Sequence, residues 1–341
     1  MHRAALVLAV IVLAGCAGGG QPPGASCATC PAGTTLDSSG NWTLAPPAWH
    51  VGDWWNFTGT LGGGSFSHIV TAETAAEWFL DTDNPSSAFR NTQSDTSYLG
   101  PIRKSDLAGS QADDRVEYLK WPLVQNATWT TKWDHTSMNL KGRFVVNVGP
   151  KPQDDGLPAY YVEARQLNGT LYASYAFTPA LGWFRNVTFY DGHGVPQFAF
   201  ALANFGHNYP GTYVRWRTQS VADVSGALTD APTTGNFDVP LNATDVYAVI
   251  ALDCVSGTAM IGVDPLPVAT SIAGVDPRGT GGGGDPCPAT FHFTGSVGPP
   301  KAPPQGGAEA WGYVVVGGPA TVGTYSLRVL IRWEQVLTLP A

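Results

Sequence analysis

Tyr160-Tyr161-Val162-Glu163-Ala164-Arg165-Gln166-Leu167, then Asn168-Gly169, then Thr170-Leu171-Tyr172-Ala173-Ser174-Tyr175-Ala176-Phe177 is the stretch on which the fold class turns. Two runs rich in aromatic and aliphatic residues flank an Asn-Gly pair. Asn and Gly both tolerate the positive φ that a type I′ turn demands, so the segment reads as a β-hairpin.

The pattern repeats outward from this hairpin. Trp49-His50-Val51-Gly52-Asp53-Trp54-Trp55-Asn56-Phe57-Thr58-Gly59 is a turn running into an aromatic strand. Strand-like runs follow at Phe66–Ala72, Ala76–Asp81, Val116–Trp121, Ala127–Trp133 and Asn139–Val148. Gly, Asn, Asp and Pro separate many of them, and no 3.6-residue period lies between. An antiparallel meander over residues 41–210 is expected, as a curved sheet or half-barrel. A second set of strands is expected at Phe237–Leu241, Val246–Cys254, Thr258–Val263, Thr290–Thr294, Trp311–Val316 and Thr324–Arg332. These assign residues 218–341 to a β-sandwich. Leu330-Ile331 interrupts the alternation of its last strand, and Thr218–Asn236 reads as either a linker or an opening strand.

Composition agrees with an all-β protein. Gly (41), Pro (27) and Trp (12) are abundant, and helices tolerate the first two poorly. Charged residues make up 13%, against a usual ~25%. A net charge of −8 with six lysines lacks the basic footprint of a nucleic-acid partner.

The chain opens with an export signal. His2 and Arg3 precede an apolar run from Ala4 to Ala14. A membrane-spanning helix needs about 20 apolar residues; this run is far shorter and suits a signal peptide, residues 1–15. Leu13-Ala14-Gly15-Cys16 resembles the lipobox of prokaryotic lipoproteins. The resemblance implies that Cys16 is lipidated and becomes the new N-terminus. Residues 16–40 are small and polar and would form a flexible tether. The partner so implied is a membrane, reached through a lipid anchor.

Four cysteines then remain, Cys27, Cys30, Cys254 and Cys287, and three pairings are open. Pairing within each region favours Cys27–Cys30 and Cys254–Cys287. Asn41, Asn56, Asn126, Asn168, Asn186 and Asn242 all sit in Asn-x-Thr sequons, more than chance supplies. Sequons beside a lipobox suggest an archaeal lipoprotein with a glycosylated surface.

Motifs for catalysis are weak. There is no Gly-x-Ser-x-Gly elbow, no His-Glu-x-x-His and no Walker phosphate loop. Gly279–Gly284 reads as a plain loop. Asp191-Gly192-His193-Gly194, with His207 downstream, reads as a Gly-rich hairpin turn rather than a divalent-metal site, and Asp81-Thr82-Asp83-Asn84 resembles the start of a calcium loop but lacks its sixth-position Gly and twelfth-position Glu. Asp113-Asp114 and Asp154-Asp155 read as solvated turns. No cofactor is implied, and a hydrolase is the least favoured class. Tryptophan is the unusual resource: Trp54, Trp55, Trp78, Trp129, Trp133 and Trp183 either fill a core or line a site for an apolar or glycan ligand.

Two further resemblances bear on the fold. Trp121-Pro122-Leu123 with Asn126-Ala127-Thr128-Trp129, and Thr178-Pro179-Ala180-Leu181-Gly182-Trp183-Phe184-Arg185, resemble segments of envelope lipoproteins built on curved antiparallel sheets. Gly323-Thr324-Tyr325-Ser326-Leu327-Arg328-Val329 is similar to the last strand of jelly-roll accessory domains on secreted proteins. These resemblances mark the fold. The absence of catalytic motifs beside a Trp-rich meander and a flexible anchor leads to the expectation of a non-enzymatic surface protein whose first domain binds an apolar or glycan ligand on its curved sheet. The sandwich would be an accessory domain, and a structural or adhesive envelope protein is the alternative.

Overall fold

A computed structural model describes residues 34–36, 42–61, 64–84, 97–111, 114–124, 127–135, 140–152, 158–266, 285–287, 289–301 and 307–340. Among these every regular element is a strand. In chain order they are β1 (Thr34–Leu36), β2 (Trp42–Leu44), β3 (Trp54–Leu61), β4 (Ser65–Glu73), β5 (Glu77–Asp81), β6 (Gly100–Arg103), β7 (Gly109–Gln111) and β8 (Asp114–Val116). Next come β9 (Leu123–Val124), β10 (Thr128–His135), β11 (Leu140–Pro152), β12 (Pro158–Gln166), β13 (Leu171–Thr178), β14 (Trp183–Tyr190) and β15 (Pro196–Gly206). The last are β16 (Thr212–Ala227), β17 (Thr233–Pro240), β18 (Asp245–Ser256), β19 (Thr258–Pro265), β20 (Asp285–Pro286), β21 (Ala289–Gly298), β22 (Ala308–Gly317) and β23 (Val322–Thr338).

The fold is all-β, a curled sheet followed by a sandwich. Twelve antiparallel strands form one sheet in the order β10-β11-β12-β13-β14-β15-β3-β4-β5-β6-β7-β8. Its curl brings the two edges together. Just past β8, Glu117 N–H donates to Thr131 Oγ1 at 3.2 Å, and Trp129 Nε1 donates to the Glu117 carbonyl at 3.2 Å. About eight strands enclose an interior that ordinary side chains fill; twelve enclose more, and large aromatic rings supply the volume. Phe57, Phe66, Tyr160, Tyr175, Phe177 and Phe200 are among the buried rings that do so. The three-stranded sheet β1-β2-β9 adds Leu44 and Leu123 to this core.

The Tyr160 hairpin forms as β12–β13, with a different turn. Gln166 N–H donates to the Thr170 carbonyl and Gly169 N–H to the Gln166 carbonyl, leaving a three-residue loop. Gly169 takes φ +88°, while Asn168 is not among the described residues of positive φ. One left-handed glycine therefore closes the turn in place of a type I′ pair. The run expected as a strand at Val116–Trp121 ends at Val116, because the chain leaves the sheet to reach the cis peptide bond Trp121–Pro122.

Sheets β16-β23-β18-β21 and β17-β22-β19-β20 face each other. Counted from β16, the strand order is first–eighth–third–sixth against second–seventh–fourth–fifth, the jelly-roll arrangement. Val246, Ile250, Ile261, Val263, Leu327 and Val329 are central to its core. Cys254 and Cys287 form a disulfide, with Cα atoms 5.4 Å apart. Thr218–Asn236 contains no simple linker: β16 already begins at Thr212 and pairs with β23 along its length.

The interrupted alternation in β23 has a physical cause. Tyr325, Leu327, Val329 and Ile331 face the sandwich core, but Leu330 and Arg332 on the opposite face are buried as well. The curled sheet covers them. Arg332, fully buried, donates to Asp245 through Nε (2.8 Å) and Nη2 (2.6 Å). Its guanidinium lies 4.3 Å from the ring centroids of both Trp216 and Tyr247. Trp216 stacks on Tyr98 of the curled sheet's domain at 4.9 Å, and Tyr98 OH donates to Glu334.

Removing one partner of a buried ion pair leaves an uncompensated charge at a cost of roughly 3–5 kcal/mol. Arg332→Met is therefore expected to lower unfolding stability by about that amount in chemical denaturation, and Asp245→Leu added to it to recover much of the loss. Equal losses in the single and double variants would show that Asp245 is not what Arg332 neutralises.

Candidate functional site

The tryptophans lie mostly inside the curled sheet. Trp49, Trp55, Trp78, Trp129 and Trp183 are 3–5% exposed. Trp49 sits at their centre, with ring centroids 5.2 Å from Trp55, 4.9 Å from Trp78 and 4.7 Å from Trp183. Their polar atoms are used internally: Trp49 Nε1 donates to the Gly182 carbonyl (3.0 Å), Trp55 Nε1 to the Leu181 carbonyl (2.8 Å) and Trp183 Nε1 to His68 Nδ1 (3.0 Å). Trp78 Nε1 has no acceptor among the described residues. Trp54 is half-buried against Tyr209. Trp133 lies on β10 opposite Gly142, with its side chain outside the described residues.

His68 accepts a hydrogen bond at Nδ1, which places its proton on Nε2. Burial pulls its pKa from 6.5 to about 3, against a smaller opposing pull from the Asp83 carboxylate. The imidazole is neutral and belongs to the core.

The outer side of β4 is polar and also covered. Asp83 accepts from Ser67 N–H (2.6 Å), Ser67 Oγ (2.7 Å) and Tyr209 OH (3.0 Å). Asp81, fully buried, accepts from Thr71 Oγ1 (2.6 Å), Tyr98 N–H (2.5 Å) and Arg215 Nε (2.8 Å). Burial pushes the Asp81 carboxyl upward despite the Arg215 charge. Val214 N–H donates to the Thr82 carbonyl at 2.7 Å. The calcium-like run Asp81–Asn84 thus ties the curled sheet to the sandwich. Tyr98, Arg215, Trp216, Asp245 and Arg332 complete this joint, and sequence reading did not single them out. The signal for it lay in the broken alternation at Leu330-Ile331-Arg332. Asp191 holds a turn, accepting from the N–H groups of His193 and Val195.

Four sequons fall on described residues. Asn168 and Asn242 are exposed, and their Oδ1 atoms accept from Thr170 N–H and Trp333 Nε1. Asn56 is half-buried, with Nδ2 donating to Ser67 Oγ at 3.0 Å. Asn186 is half-buried on β14. Cys16, Cys27, Cys30, Asn41, Asn126 and the Gly279–Gly284 run lie outside the described residues.

Uncommitted polar groups meet on the outer face of the second sandwich sheet. Register aligns Asn236, Gly312 and Asp264 straight across β17, β22 and β19, with Thr234, Val314 and Gly262 in the next row. These positions alternate with the core residues Ile261, Val263, Trp311 and Val315 and so point outward. Gly312 and Gly262 bring no side chain, and the rows enclose a groove of about 170 Å³. Burial pushes the Asp264 carboxyl upward, with Lys301 opposing. Its side chain and those of Asn236 and Thr234 make no hydrogen bond among the described residues.

Comparison with known proteins adds little. No family model and no curated protein matches the chain. A chain from the structure of infectious bursal disease virus Gx strain is similar at 10% identity, over 87% of this chain and 74% of that one, with a TM-score of 0.20. At that level the likeness carries no argument.

Two outcomes follow from these placements. In acid the unfolded chain protonates His68 near pH 6.5, whereas the native state resists protonation until about pH 3. Stability is therefore lost as pH falls through that window, by roughly 4–5 kcal/mol from this group at full effect. His68→Gln keeps an acceptor for Trp183 and is expected to flatten the pH dependence of the denaturation midpoint; an unchanged profile would assign the acid sensitivity elsewhere. Glycopeptide mass spectrometry of the native protein is expected to find occupancy at Asn168 and Asn242 and none at Asn56, whose amide nitrogen is engaged between strands.

Proposed function

We propose that this protein is a lipid-anchored, extracytoplasmic surface protein that binds glycan without catalysis. The reading is carried by one contrast. The tryptophans of the curled sheet are packed on one another, while uncommitted hydrogen-bonding side chains converge on an outward groove of the sandwich. An apolar guest would need interior space beside Trp49, Trp55 and Trp183, where indole rings already touch. A sugar needs donors and acceptors at a surface, as Thr234, Asn236 and Asp264 provide.

Acid–base chemistry finds little support in the same residues. His68 is sealed in the core, and Asp81 and Asp83 are saturated by their partners at the joint. The address rests on the leader ending at Cys16, and the Cys254–Cys287 disulfide suits an oxidising exterior. A lipid with two acyl chains holds a protein stably where a single chain does not.

Expression in a host with lipoprotein processing tests the address. The wild-type chain is expected in the membrane fraction with a mature N-terminus at a lipid-modified Cys16, and Cys16→Ser in the soluble or unprocessed pool. Mature chain that starts elsewhere, or a Cys16→Ser variant that stays membrane-bound after processing, would overturn the anchor.

A further inference from the structure

We infer that the groove across β17, β22 and β19 is a subsite for one pyranose residue, gripped between Asn236 and Asp264 over the floor of Gly312. The inference rests on the glycan-binding reading above and gives it a place and a size.

Spacing sets the size. Adjacent strands stand about 4.8 Å apart, so Asn236 and Asp264, two strands apart in one row, are separated by roughly 9.6 Å at the backbone. Gly312 lies between them and contributes no side chain. A methyl group there would stand 3.0 Å from Asn236 Oδ1 and 3.3 Å from Leu266 Cδ2, so the walls already crowd the floor. The volume of about 170 Å³ slightly exceeds the ~150 Å³ of a closed cavity that holds benzene, so the groove takes one face of a pyranose and leaves the other hydroxyls in solvent beside the exposed Thr234 and Asn236. It falls well short of the ~300 Å³ at which drug-sized pockets begin.

Chemistry sets the class. Asp264 offers two acceptor oxygens, Asn236 both a donor and an acceptor, and Thr234 a hydroxyl. Vicinal hydroxyls of a sugar match such a set, since each can donate to a carboxylate and accept from an amide. Val314 and Leu266 give the C–H face of a ring apolar contact. The Asp264 carboxylate makes no hydrogen bond among the described residues, so a hydroxyl donor adds a bond without breaking one, and Lys301 balances part of its charge. An anionic sugar is disfavoured, because it would meet the Asp264 carboxylate on a chain of net charge −8.

The test uses the full chain, purified with its anchor in a detergent that carries no sugar headgroup. Methyl pyranosides of glucose, galactose, mannose and N-acetylglucosamine are titrated singly, with saturation-transfer NMR and calorimetry as readouts. An array of envelope glycans is probed in parallel. At least one neutral pyranoside is expected to bind. Asp264→Asn and Asn236→Ala should each weaken binding tenfold or more, and Thr234→Trp, which puts an indole beside Val314, should abolish it. Both Asp264 and Asn236 lie on the outer face, and unchanged denaturation midpoints would confirm that the variants fold. Glycan binding that all three variants leave intact would overturn the groove and spare the glycan reading. Silence of the wild-type chain towards every pyranoside and array glycan would overturn both. Binding of spermidine but of no sugar would reassign Asp264 to a cationic ligand and overturn the subsite.

Discussion

Arg332 is fully buried, and the two halves of the molecule are arranged around that fact. A lone guanidinium in such a place is untenable, so its charge must be met on every side. Asp245, its direct neighbour across the β18–β23 ladder, takes two hydrogen bonds in fork geometry. Trp216 and Tyr247 supply aromatic surface at 4.3 Å, and a guanidinium, weakly hydrated and planar, tolerates such faces better than an ammonium. Tyr98 then stacks on Trp216 and seals the site from the other domain. The outer face of this sandwich sheet is thus buried at Arg332, where Trp216 and Tyr98 close over it, and exposed again at Ser326 and Arg328. Separating the two parts would expose the stack and the Asp81–Arg215 pair together.

That coupling explains why β4 and β23 bury both of their faces where they meet the joint. β4 buries both faces, with Phe66, His68 and Val70 turned to the aromatic interior and Ser67, Ile69 and Thr71 turned to the joint. β23 does the same with Val329 and Ile331 on one side and Leu330 and Arg332 on the other. A strand covered on both sides loses the period-two signature that marks a half-solvated sheet. Each polar group placed there must bring its own partner, and Thr71–Asp81–Arg215 and Ser67–Asp83–Tyr209 are the result.

Legibility in the sequence follows the same line. Strands written as continuous aromatic and β-branched runs were readable: Val246–Cys254 and Trp311–Val316 lie within β18 and β22, and the Tyr160 hairpin stands with an altered turn. The joint was not readable, because Asp81, Asp83, Arg215 and Arg332 look like surface residues when no long-range partner is known. Leu330-Ile331 registered as an irregularity, and it was the trace of a second buried face. The tryptophans were conspicuous in the sequence, yet composition does not say which side of a strand a ring occupies. The groove was invisible for another reason: its character comes from register, which sets Gly312 between Asn236 and Asp264, residues 76 and 48 positions away from it in the chain, and no local motif records that pairing.

A wide curled sheet constrains where this protein can meet a ligand. Twelve strands enclose a volume that has to be either filled or used, and here bulky indoles occupy the region around Trp49 and donate their N–H groups to nearby carbonyls and to His68. Each of those internal bonds raises the cost of inserting a guest, since displacing a ring would strand a buried donor and an acceptor together. The second sandwich sheet carries no such commitment on its outer face, where Thr234, Asn236 and Asp264 make no hydrogen bond among the described residues. On the proposed reading the aromatic core serves as a base, and recognition falls to the outer face of the sandwich, where polar side chains keep free donors and acceptors.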